Sequence, residues 1–167
     1  MKAKGRAKCI PKDPDAVFLP FQSAWIRDES RLKLMEKSRQ IGISWSTAYG
    51  AAERAAAQGA RFDEWVSSRD DIQARLFIED CKLWAGIMGM AAQDLGELVL
   101  DGDKKHSAYV LQFASGRRIH SMSSNPDAQA GKRGSRILDE FALHRDQRKM
   151  WAIAEPGVTW GGNIEVL

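Results

Sequence analysis

The sequence predicts an α/β fold in which a mostly parallel sheet is flanked by helices and carries an antiparallel hairpin or edge. Two observations support this prediction. Short apolar runs alternate with helical patterns along the chain, which is the order typical of a sheet with parallel strands. In addition, the glycine-containing segment EKSRQIGISWST (36–47) joins the first apolar run directly to the first helical pattern. With 167 residues, 44% hydrophobic and 28% charged, the chain has a globular composition.

The first half of the chain supplies two strand–helix pairs. RLKLME (31–36) is a strand-like run, and residues 45–58 are rich in strong helix formers and stop at Gly59. FDEWVSS (62–68) reads as a second strand, and the S-x-x-D spacing from Ser68 to Asp71 predicts a capping box that opens a helix. Three- and four-residue spacing predicts one buried face for this helix, formed by Ile72, Leu76, Phe77, Cys81, Trp84 and Met88.

The second half adds a hairpin and two further strands. Residues 107–124 are typical of a hairpin that turns at 114–116, and residues 125–134 form a polar segment with turn chemistry. SRILDEFA (135–142) reads as a strand that ends in two carboxylates, and GGNIEVL (161–167) begins another strand. Because a strand of a parallel sheet needs an onward connection, we expect the chain to be a fragment.

The positive charge is concentrated at the amino terminus. Beyond residue 12, 20 basic residues face 22 acidic ones. We therefore predict a basic, flexible tail over 1–15, with a DNA-contacting arm as the alternative, and one domain over 16–167. The first 12 residues contain five of the basic residues, namely Lys2, Lys4, Arg6, Lys8 and Lys12.

Cysteine usage and hydropathy indicate a cytoplasmic protein. Cys9 and Cys81 are too few and too far apart for a zinc site or a disulfide framework. No apolar run approaches the roughly 20 residues that a membrane helix needs. The sequence therefore predicts a protein of a reducing compartment with no membrane partner.

The glycine loop resembles a phosphate-binding loop with one change. The pattern G-x-x-x-x-G-K-[ST] falls on residues 37–44 as KSRQIGIS. Gly42 then lies where the backbone approaches the phosphates closely, and Ser44 where a hydroxyl would ligate Mg²⁺. Ile43 replaces the usual lysine, so the charge would come from Lys37 or Arg39 folding back over the phosphates. A strand-turn-helix without nucleotide remains the alternative.

Two further segments support a nucleotide site. Asp139 and Glu140 end an apolar strand, at the edge where open α/β sheets bind ligands. The aspartate could hold Mg²⁺ and the glutamate could orient and deprotonate a water, although a solvated acidic pair is the alternative. Upstream, in FLPFQSAW (18–25), Gln22 could pair with the edge of adenine, and Phe18 or Phe21 could stack on the base. A packed turn before the first strand is the alternative there.

Together, FLPFQSAW, KSRQIGIS and ILDEFALH resemble the ATPase domain of phage large terminase subunits, particularly those of Mu-like phages and prophages. The resemblance runs from Phe18 to the end of the chain. It implies a P-loop NTPase fold of the ASCE type that uses ATP and Mg²⁺ to drive DNA into a capsid. The family's coupling segment and nuclease domain have no counterpart in this sequence, so nuclease activity does not carry over.

The resemblance also assigns roles and partners. Glu140, Lys37 and Arg39 would be catalytic, and Ser44 and Asp139 would hold Mg²⁺. It implies double-stranded DNA, the small terminase subunit and the capsid portal as partners, with ring formation at full length in the cytoplasm of a bacterial host. The nucleotide would be bound by Gln22, Phe21, Lys37, Ser38, Arg39, Gln40, Ile41, Gly42, Ile43 and Ser44.

Several alternatives remain open. A helicase-like ATPase and a catalytically silent nucleotide- or DNA-binding prophage remnant would fit the same motifs. Arg133 is either a charge-stabilising finger or a loop charge. Arg117 and Arg118 are either contacts to a DNA backbone or part of a solvated turn.

Overall fold

The structure is a computed structural model that describes residues 13–100 and 106–167, so the five basic residues of segment 1–12 lie outside it. Within these residues the chain forms one seven-stranded sheet flanked by helices. The strands are β1 (Leu32–Leu34), β2 (Glu64–Ser68), β3 (Ala92–Val99), β4 (Ser107–Phe113), β5 (Arg118–Ser123), β6 (Ser135–Leu138) and β7 (Ile164–Val166). The helices are α1 (Pro20–Arg27), α2 (Ile43–Ala56), α3 (Asp71–Ile87), α4 (Pro126–Gln129) and α5 (Gln147–Gly157).

The strand order is β1-β7-β6-β2-β5-β4-β3. The first five strands of this order pair in parallel, and β4 and β3 extend the sheet by antiparallel pairing. This arrangement confirms the mostly parallel sheet with an antiparallel hairpin. The hairpin of β4 and β5 is built into the sheet, because β5 also pairs in parallel with β2. Neither β3 nor α5 was predicted from the sequence, and the segment 125–134, which was expected to be a polar turn, contains α4.

The core lies on both faces of the sheet. On one face, α2 and α3 cover Val66, Ile119 and Ile137, and Trp45 packs on Trp84 with 4.3 Å between ring centroids. On the other face, α5 contributes Met150 and Ala154 to a cluster that includes residues of β6 and β7. The central strands are therefore buried on both sides, which leaves their ends as the accessible parts.

Helix α3 corrects two predictions. Its N-cap is Asp70, whose Oδ1 accepts from the Gln73 N–H at 2.9 Å, whereas Ser68 is the last residue of β2. Ile72 and Leu76 are 64% and 45% exposed, so their assignment to the buried face is wrong. Phe77, Cys81 and Trp84 are buried as predicted, and Met88 is partly buried against the core. The buried face is completed by Ala74, Ile78 and Ala85.

The segment before β1 is helical rather than a packed turn. Pro20 opens α1, and the Gln22 Oε1 accepts from the Leu19 N–H at 3.0 Å. The boundary expected at residue 15 falls inside a 3-10 turn at Pro14–Ala16, and the carboxylates of Asp13 and Asp15 both pair with Arg27. In the described part of the chain, no helix combines the length and the apolar character required to cross a membrane.

Candidate nucleotide-binding site

The predicted phosphate loop connects β1 to α2 at the carboxyl end of the sheet. Gly42 is the N-cap of α2 and has a φ of +73°, a left-handed conformation that favours glycine. No side chain caps this helix, and the first N–H groups of any helix lack partners within it. Together with the positive end of the helix dipole, these N–H groups form an anion-binding turn. The helix begins at Ile43, two residues before the predicted start.

Gln22 braces this loop from α1. Its Nε2 donates to the carbonyl oxygens of Ile41 and Gly42, at 3.0 and 3.1 Å. A Cβ atom at residue 42 would lie 2.8 Å from the same Nε2, so any other residue there would displace the Gln22 amide. Because both amide N–H groups of Gln22 are used, pairing with adenine would require one of these bonds to exchange. Adenine recognition by Gln22 stays a prediction.

Of the two phenylalanines proposed to stack on the base, only one is accessible. Phe18 is 7% exposed and packs on Trp45 and Tyr49 in the core, so a stacking role for it is wrong. Phe21 is 39% exposed on α1 and remains a candidate. Phe21 is therefore the better candidate for stacking on the base, because it lies on α1 with its ring exposed.

The loop and the acidic pair meet at the carboxyl edge of the sheet. Ser44 Oγ donates to Asp139 Oδ1 at 2.7 Å, although the two residues are 95 positions apart. Asp139 follows β6 and is 3% exposed. Burial raises the pKa of the Asp139 carboxyl, while the Ser44 hydrogen bond and the charge of Lys37 oppose this rise. These contacts bring together the two residues that were predicted to hold Mg²⁺.

Lys37 supplies the cation nearest to both acids. Its Nζ lies 3.9 Å from Asp139 Oδ1 and 3.8 Å from Glu140 Oε1, and its side chain is 13% exposed. Arg39 is exposed and forms no ion pair with another residue that the structure describes. Of the two cations that the sequence left as alternatives, Lys37 pairs with the acids and Arg39 does not; which of them meets the phosphates stays a prediction.

Glu140 has an unusual backbone conformation. Its φ of +54° is in the left-handed region, which is uncommon for residues other than glycine. Such strain tends to occur at functional sites. Its side chain is 28% exposed and faces the ammonium group of Lys37. The acid is therefore accessible at the site and held by the turn that follows β6.

His144 supports the turn around the acids, a role that the sequence analysis did not predict. Its Nε2 donates to the backbone carbonyl oxygen of Asp139 at 2.9 Å. Burial lowers the pKa of this imidazole. The backbone N–H of Asp139 is bound as well, to the Ser67 carbonyl oxygen at 2.9 Å. Only the short spacing between Asp139 and His144 in ILDEFALH hinted at this contact.

A cleft of about 480 Å³ lies beside the loop and the acids. Its polar lining includes Lys37, Arg39, Glu140 and Gln147, and its apolar lining comes from β1, β7 and the residues that directly follow β1, β6 and β7. Gln40, at the tip of the loop, is exposed with a φ of +60°. The cleft gives a ligand access to Lys37 and Glu140 at the same edge.

The other basic residues singled out in the sequence lie elsewhere. Arg133 precedes β6, and Arg117 and Arg118 lie at the start of β5. Because these strands are parallel, the three residues lie at the amino edge of the sheet, opposite the Ser44–Asp139 contact. The fold does not bring Arg133 to the acids of its own chain.

Comparison with known proteins identifies the family. The family model described as terminase large subunit, T4likevirus-type, N-terminal, matches residues 34–167. This chain belongs to the terminase large subunit family. It is 35% identical over 162 residues to the Mu-like prophage FluMu protein gp28 of Haemophilus influenzae, covering 95% of the chain and 32% of that protein. It is 31% identical over 161 residues to the probable terminase large subunit gp28 of Escherichia phage Mu, covering 92% and 29%.

This terminase chain spans about a third of the length of these curated relatives. Its fold is similar to that of the large terminase ATPase domain of Thermus phage P74-26, with a TM-score of 0.59 and 19% identity over 87% of this chain and 62% of that one. The likeness confirms the predicted fold. The family and the Mu-like relatives confirm the resemblance drawn from the motifs.

Proposed function

We propose that this chain is the ATP-hydrolysing motor domain of a phage terminase large subunit, which drives double-stranded DNA into a capsid. The observation that carries the proposal is the 2.7 Å hydrogen bond from Ser44 Oγ to Asp139 Oδ1. It joins a phosphate-binding turn to an acidic strand end, the two parts that P-loop NTPases use for phosphates and Mg²⁺. Family membership favours this function over the helicase-like alternative.

The binding of the triphosphate would rest on the turn at Gly42. The uncapped first turn of α2 offers N–H groups to the phosphate oxygens, and Gln22 holds the turn open by binding two of its carbonyls. Phe21 is the candidate for contact with the base. Lys37 would leave its ion pairs with the acids to meet the negative charge of the phosphates.

The residues present fit a magnesium ion that arrives with the nucleotide. Ser44 and Asp139 offer one hydroxyl and one carboxylate, and Mg²⁺ commonly takes one or two protein ligands together with phosphate oxygens and waters. Among the described residues there is no group of three or more histidine, cysteine or acidic side chains that could hold a metal. Mg²⁺ bound there would neutralise charge on the phosphates during transfer.

Glu140 would serve the attacking water. Its side chain is 28% exposed at the cleft, whereas the Asp139 side chain is only 4% exposed and bound by Ser44. Glu140 can therefore accept a hydrogen bond from a water, align it with the γ-phosphate and take its proton. Catalysis of this class depends mainly on positioning and charge neutralisation. Lys37 pairs with Glu140 at 3.8 Å, so its move to the phosphates would also free this carboxylate for the water.

Replacing Glu140 by glutamine tests the proposal. Glu140→Gln keeps the shape of the side chain but removes the base, so we expect MgATP affinity to stay within about threefold and turnover to fall by at least ~100-fold. Isothermal titration would measure the affinity, and phosphate release with and without duplex DNA would measure turnover. Glu155→Gln, at an exposed position of α5, is the matched control and should retain both activities.

The outcomes separate the alternatives. Equal turnover by Glu140→Gln and the unaltered chain would remove Glu140 from this role. If the unaltered chain binds MgATP but releases no phosphate under any DNA condition, a catalytically silent nucleotide- or DNA-binding protein is favoured. Loss of hydrolysis on chelation of Mg²⁺ is expected. The proposal also includes two protein partners, the small terminase subunit and the capsid portal. The full-length protein would form a ring and act in the cytoplasm of the bacterial host.

A further inference from the structure

Basic side chains gather at the amino edge of the sheet, away from the nucleotide site. Arg61 precedes β2, Arg117 and Arg118 lie at the start of β5, and Lys132 and Arg133 precede β6. Strands β6, β2 and β5 are consecutive neighbours in the sheet and run in the same direction. Five cations from three separate segments of the chain therefore lie at one edge. We call them the basic row.

Hydrogen bonds that each involve at least one backbone group hold the three segments of the basic row side by side. Arg117 Nη1 donates to the Arg61 carbonyl oxygen at 3.3 Å, and the Arg118 N–H donates to Asp63 Oδ1 at 3.1 Å. On the other side, the Ser135 N–H donates to the Asp63 carbonyl oxygen at 3.1 Å. Neighbouring strands lie about 4.8 Å apart, so the row extends over roughly 10 Å before its side chains are counted.

The charges of the basic row are largely unpaired within the described chain. Arg117 has one acidic neighbour, Asp63, at 4.0 Å. No ion pair between two described residues involves Arg61, Arg118, Lys132 or Arg133. Arg61, Arg118 and Arg133 are exposed. Since acidic residues outnumber basic ones beyond residue 12, this local excess of positive charge is not an average property of the surface.

An exposed aromatic residue lies next to the row. Trp160 is 71% exposed in the connection between α5 and β7. Its neighbour Gly161 lies against the ring of Phe62, because a Cβ there would be 3.6 Å from that ring. Because Phe62 follows Arg61, the connection that carries Trp160 passes next to one segment of the row, and its indole is exposed.

We propose that the basic row is the surface through which this chain contacts the phosphate backbone of double-stranded DNA. The inference rests on the proposed packaging function and specifies the surface used. Guanidinium groups bind phosphate oxygens with paired hydrogen bonds, and unpaired cations release the counterions of DNA when they bind. Contacts to phosphates carry no sequence information, which suits a motor that moves along any DNA.

The position of the row leaves the proposed nucleotide site accessible. The Ser44–Asp139 contact lies at the carboxyl ends of the strands and the basic row at their amino ends. DNA on the row and ATP at the Gly42 turn would then be separated by the length of the central strands. The buried body of the sheet would connect the two sites.

The salt dependence of DNA affinity tests the proposal. A variant carrying Arg61→Ala, Arg118→Ala and Arg133→Ala would be titrated against a fluorescent duplex of random sequence over a range of salt concentrations. If each arginine contacts one phosphate, the slope of log K against log[salt] should become shallower by up to ~2.7. Affinity at 0.1 M salt should fall by at least about tenfold. Anisotropy gives both quantities.

A matched variant removes the same charge elsewhere. Arg75→Ala, Arg148→Ala and Lys149→Ala change three exposed cations of α3 and α5, and should leave the slope within ~0.5 of its original value. Near-equal midpoints of thermal unfolding would show that both variants are folded. A third variant with alanine at Lys2, Lys4, Arg6, Lys8 and Lys12 measures the contribution of the amino-terminal segment.

Three results would overturn the inference. The first is that the unaltered chain does not bind duplex DNA. The second is that the slope of log K against log[salt] is the same in the basic-row variant and the matched variant. The third is that only the amino-terminal variant loses its salt dependence. ATP hydrolysis without DNA is measured separately on the same proteins. Absence of hydrolysis with an intact effect of the row on DNA binding would contradict the proposed ATPase but not the DNA surface.

Discussion

Ile43 stands where phosphate loops usually carry lysine, and its environment explains why a lysine side chain would not fit there. Ile43 is 1% exposed and belongs to the main apolar core. A lysine in this orientation would bury its charge among apolar side chains, which is costly. Lys37, at the start of the loop, reaches Asp139 and Glu140 from the cleft instead. We therefore expect Lys37 to supply the charge that the loop lacks at position 43.

Lys37 should be the cation on which nucleotide binding depends. We expect Lys37→Ala to lower MgATP affinity by roughly 10- to 100-fold, since a hydrogen bond to a charged group contributes about 1.5–3 kcal/mol. Lys37→Arg should restore part of the affinity because it keeps the charge. Arg39→Ala, at an exposed position two residues away, should have a smaller effect. Titration calorimetry with MgATP measures all three variants.

Two results would contradict the expected role of Lys37. A larger loss of affinity for Arg39→Ala than for Lys37→Ala would show that the loop rearranges and that Arg39 takes the role of the missing lysine. Equal affinity of all variants would mean that backbone N–H groups alone hold the phosphates. Circular dichroism would verify that each variant keeps its helices.

Those parts of the candidate site that depend on the order of residues within one segment could be predicted from the sequence. Gly42 and Ser44 have a fixed spacing in one loop, and Asp139 and Glu140 end an apolar run, so their meeting at one sheet edge follows from parallel strands. The roles of Phe18 and Gln22 depend on how α1 packs. Phe18 contacts Trp84, 66 residues away, which no local pattern reveals.

At the scale of elements, the helices and strands that could be predicted are mainly those whose apolar residues recur with regular spacing on a buried face. β3 was missed because it is an edge strand with mostly exposed side chains, and a register shift between Asp94 and Gly96 interrupts its pairing with β4. α5 was missed because only Met150 and Ala154 are buried along it and Pro156 lies inside its last turn. The exposure pattern of β3 also lacks the regular alternation that marks a half-buried strand.

The start of α3 gives a test at this scale. Asp70→Ala removes the side chain that accepts from the Gln73 N–H, and we expect a loss of about 1 kcal/mol in the free energy of unfolding. Ser68→Ala is the matched variant, since the sequence placed the cap there. The Ser68 hydroxyl is buried and makes no hydrogen bond with a described residue, so its removal should cost less than ~0.5 kcal/mol.

Urea denaturation of the two variants measures their free energies of unfolding and so decides whether Asp70 or Ser68 is the N-cap of α3. The assignment of Asp70 is contradicted if Ser68→Ala loses the larger amount. Asp70→Asn is informative as well, because asparagine also caps helices well and should recover most of the stability. The pair of Asp70 with Arg69 is half exposed and should contribute little.

At the scale of the whole molecule, the direction of the strands was predictable but the charges inside the fold were not. Glu165 on β7 is 1% exposed and contacts Lys33 Nζ at 3.1 Å and Arg54 Nη1 at 2.7 Å. Arg54 also binds Glu64 through two hydrogen bonds of 3.0 Å. This network joins β1, β7, β2 and α2. Its members are 10 to 132 positions apart, so only the folded chain shows that they are paired.

Glu165 is the centre of this network, and its loss should affect the stability of the whole domain. Glu165→Gln removes the charge that faces both Lys33 and Arg54, and Lys33 has a side chain that is only 2% exposed. Breaking a buried ion pair by removing one partner typically costs 3–5 kcal/mol, so we expect a loss of about this size in the free energy of unfolding. The exposed pair of Lys82 and Asp94 is the control, since Asp94→Asn should cost less than ~1 kcal/mol.

A second variant distinguishes an uncompensated charge from a simple packing defect. If the cost of Glu165→Gln arises from the buried ammonium group of Lys33, then Lys33→Met in the same chain should recover part of the lost stability, because no charge is left unpaired between β1 and β7. Chemical denaturation of both single variants and the double variant gives the coupling energy. Additive losses would contradict the network, since they would mean that Lys33 and Glu165 stabilise the fold independently despite the 3.1 Å that separates them.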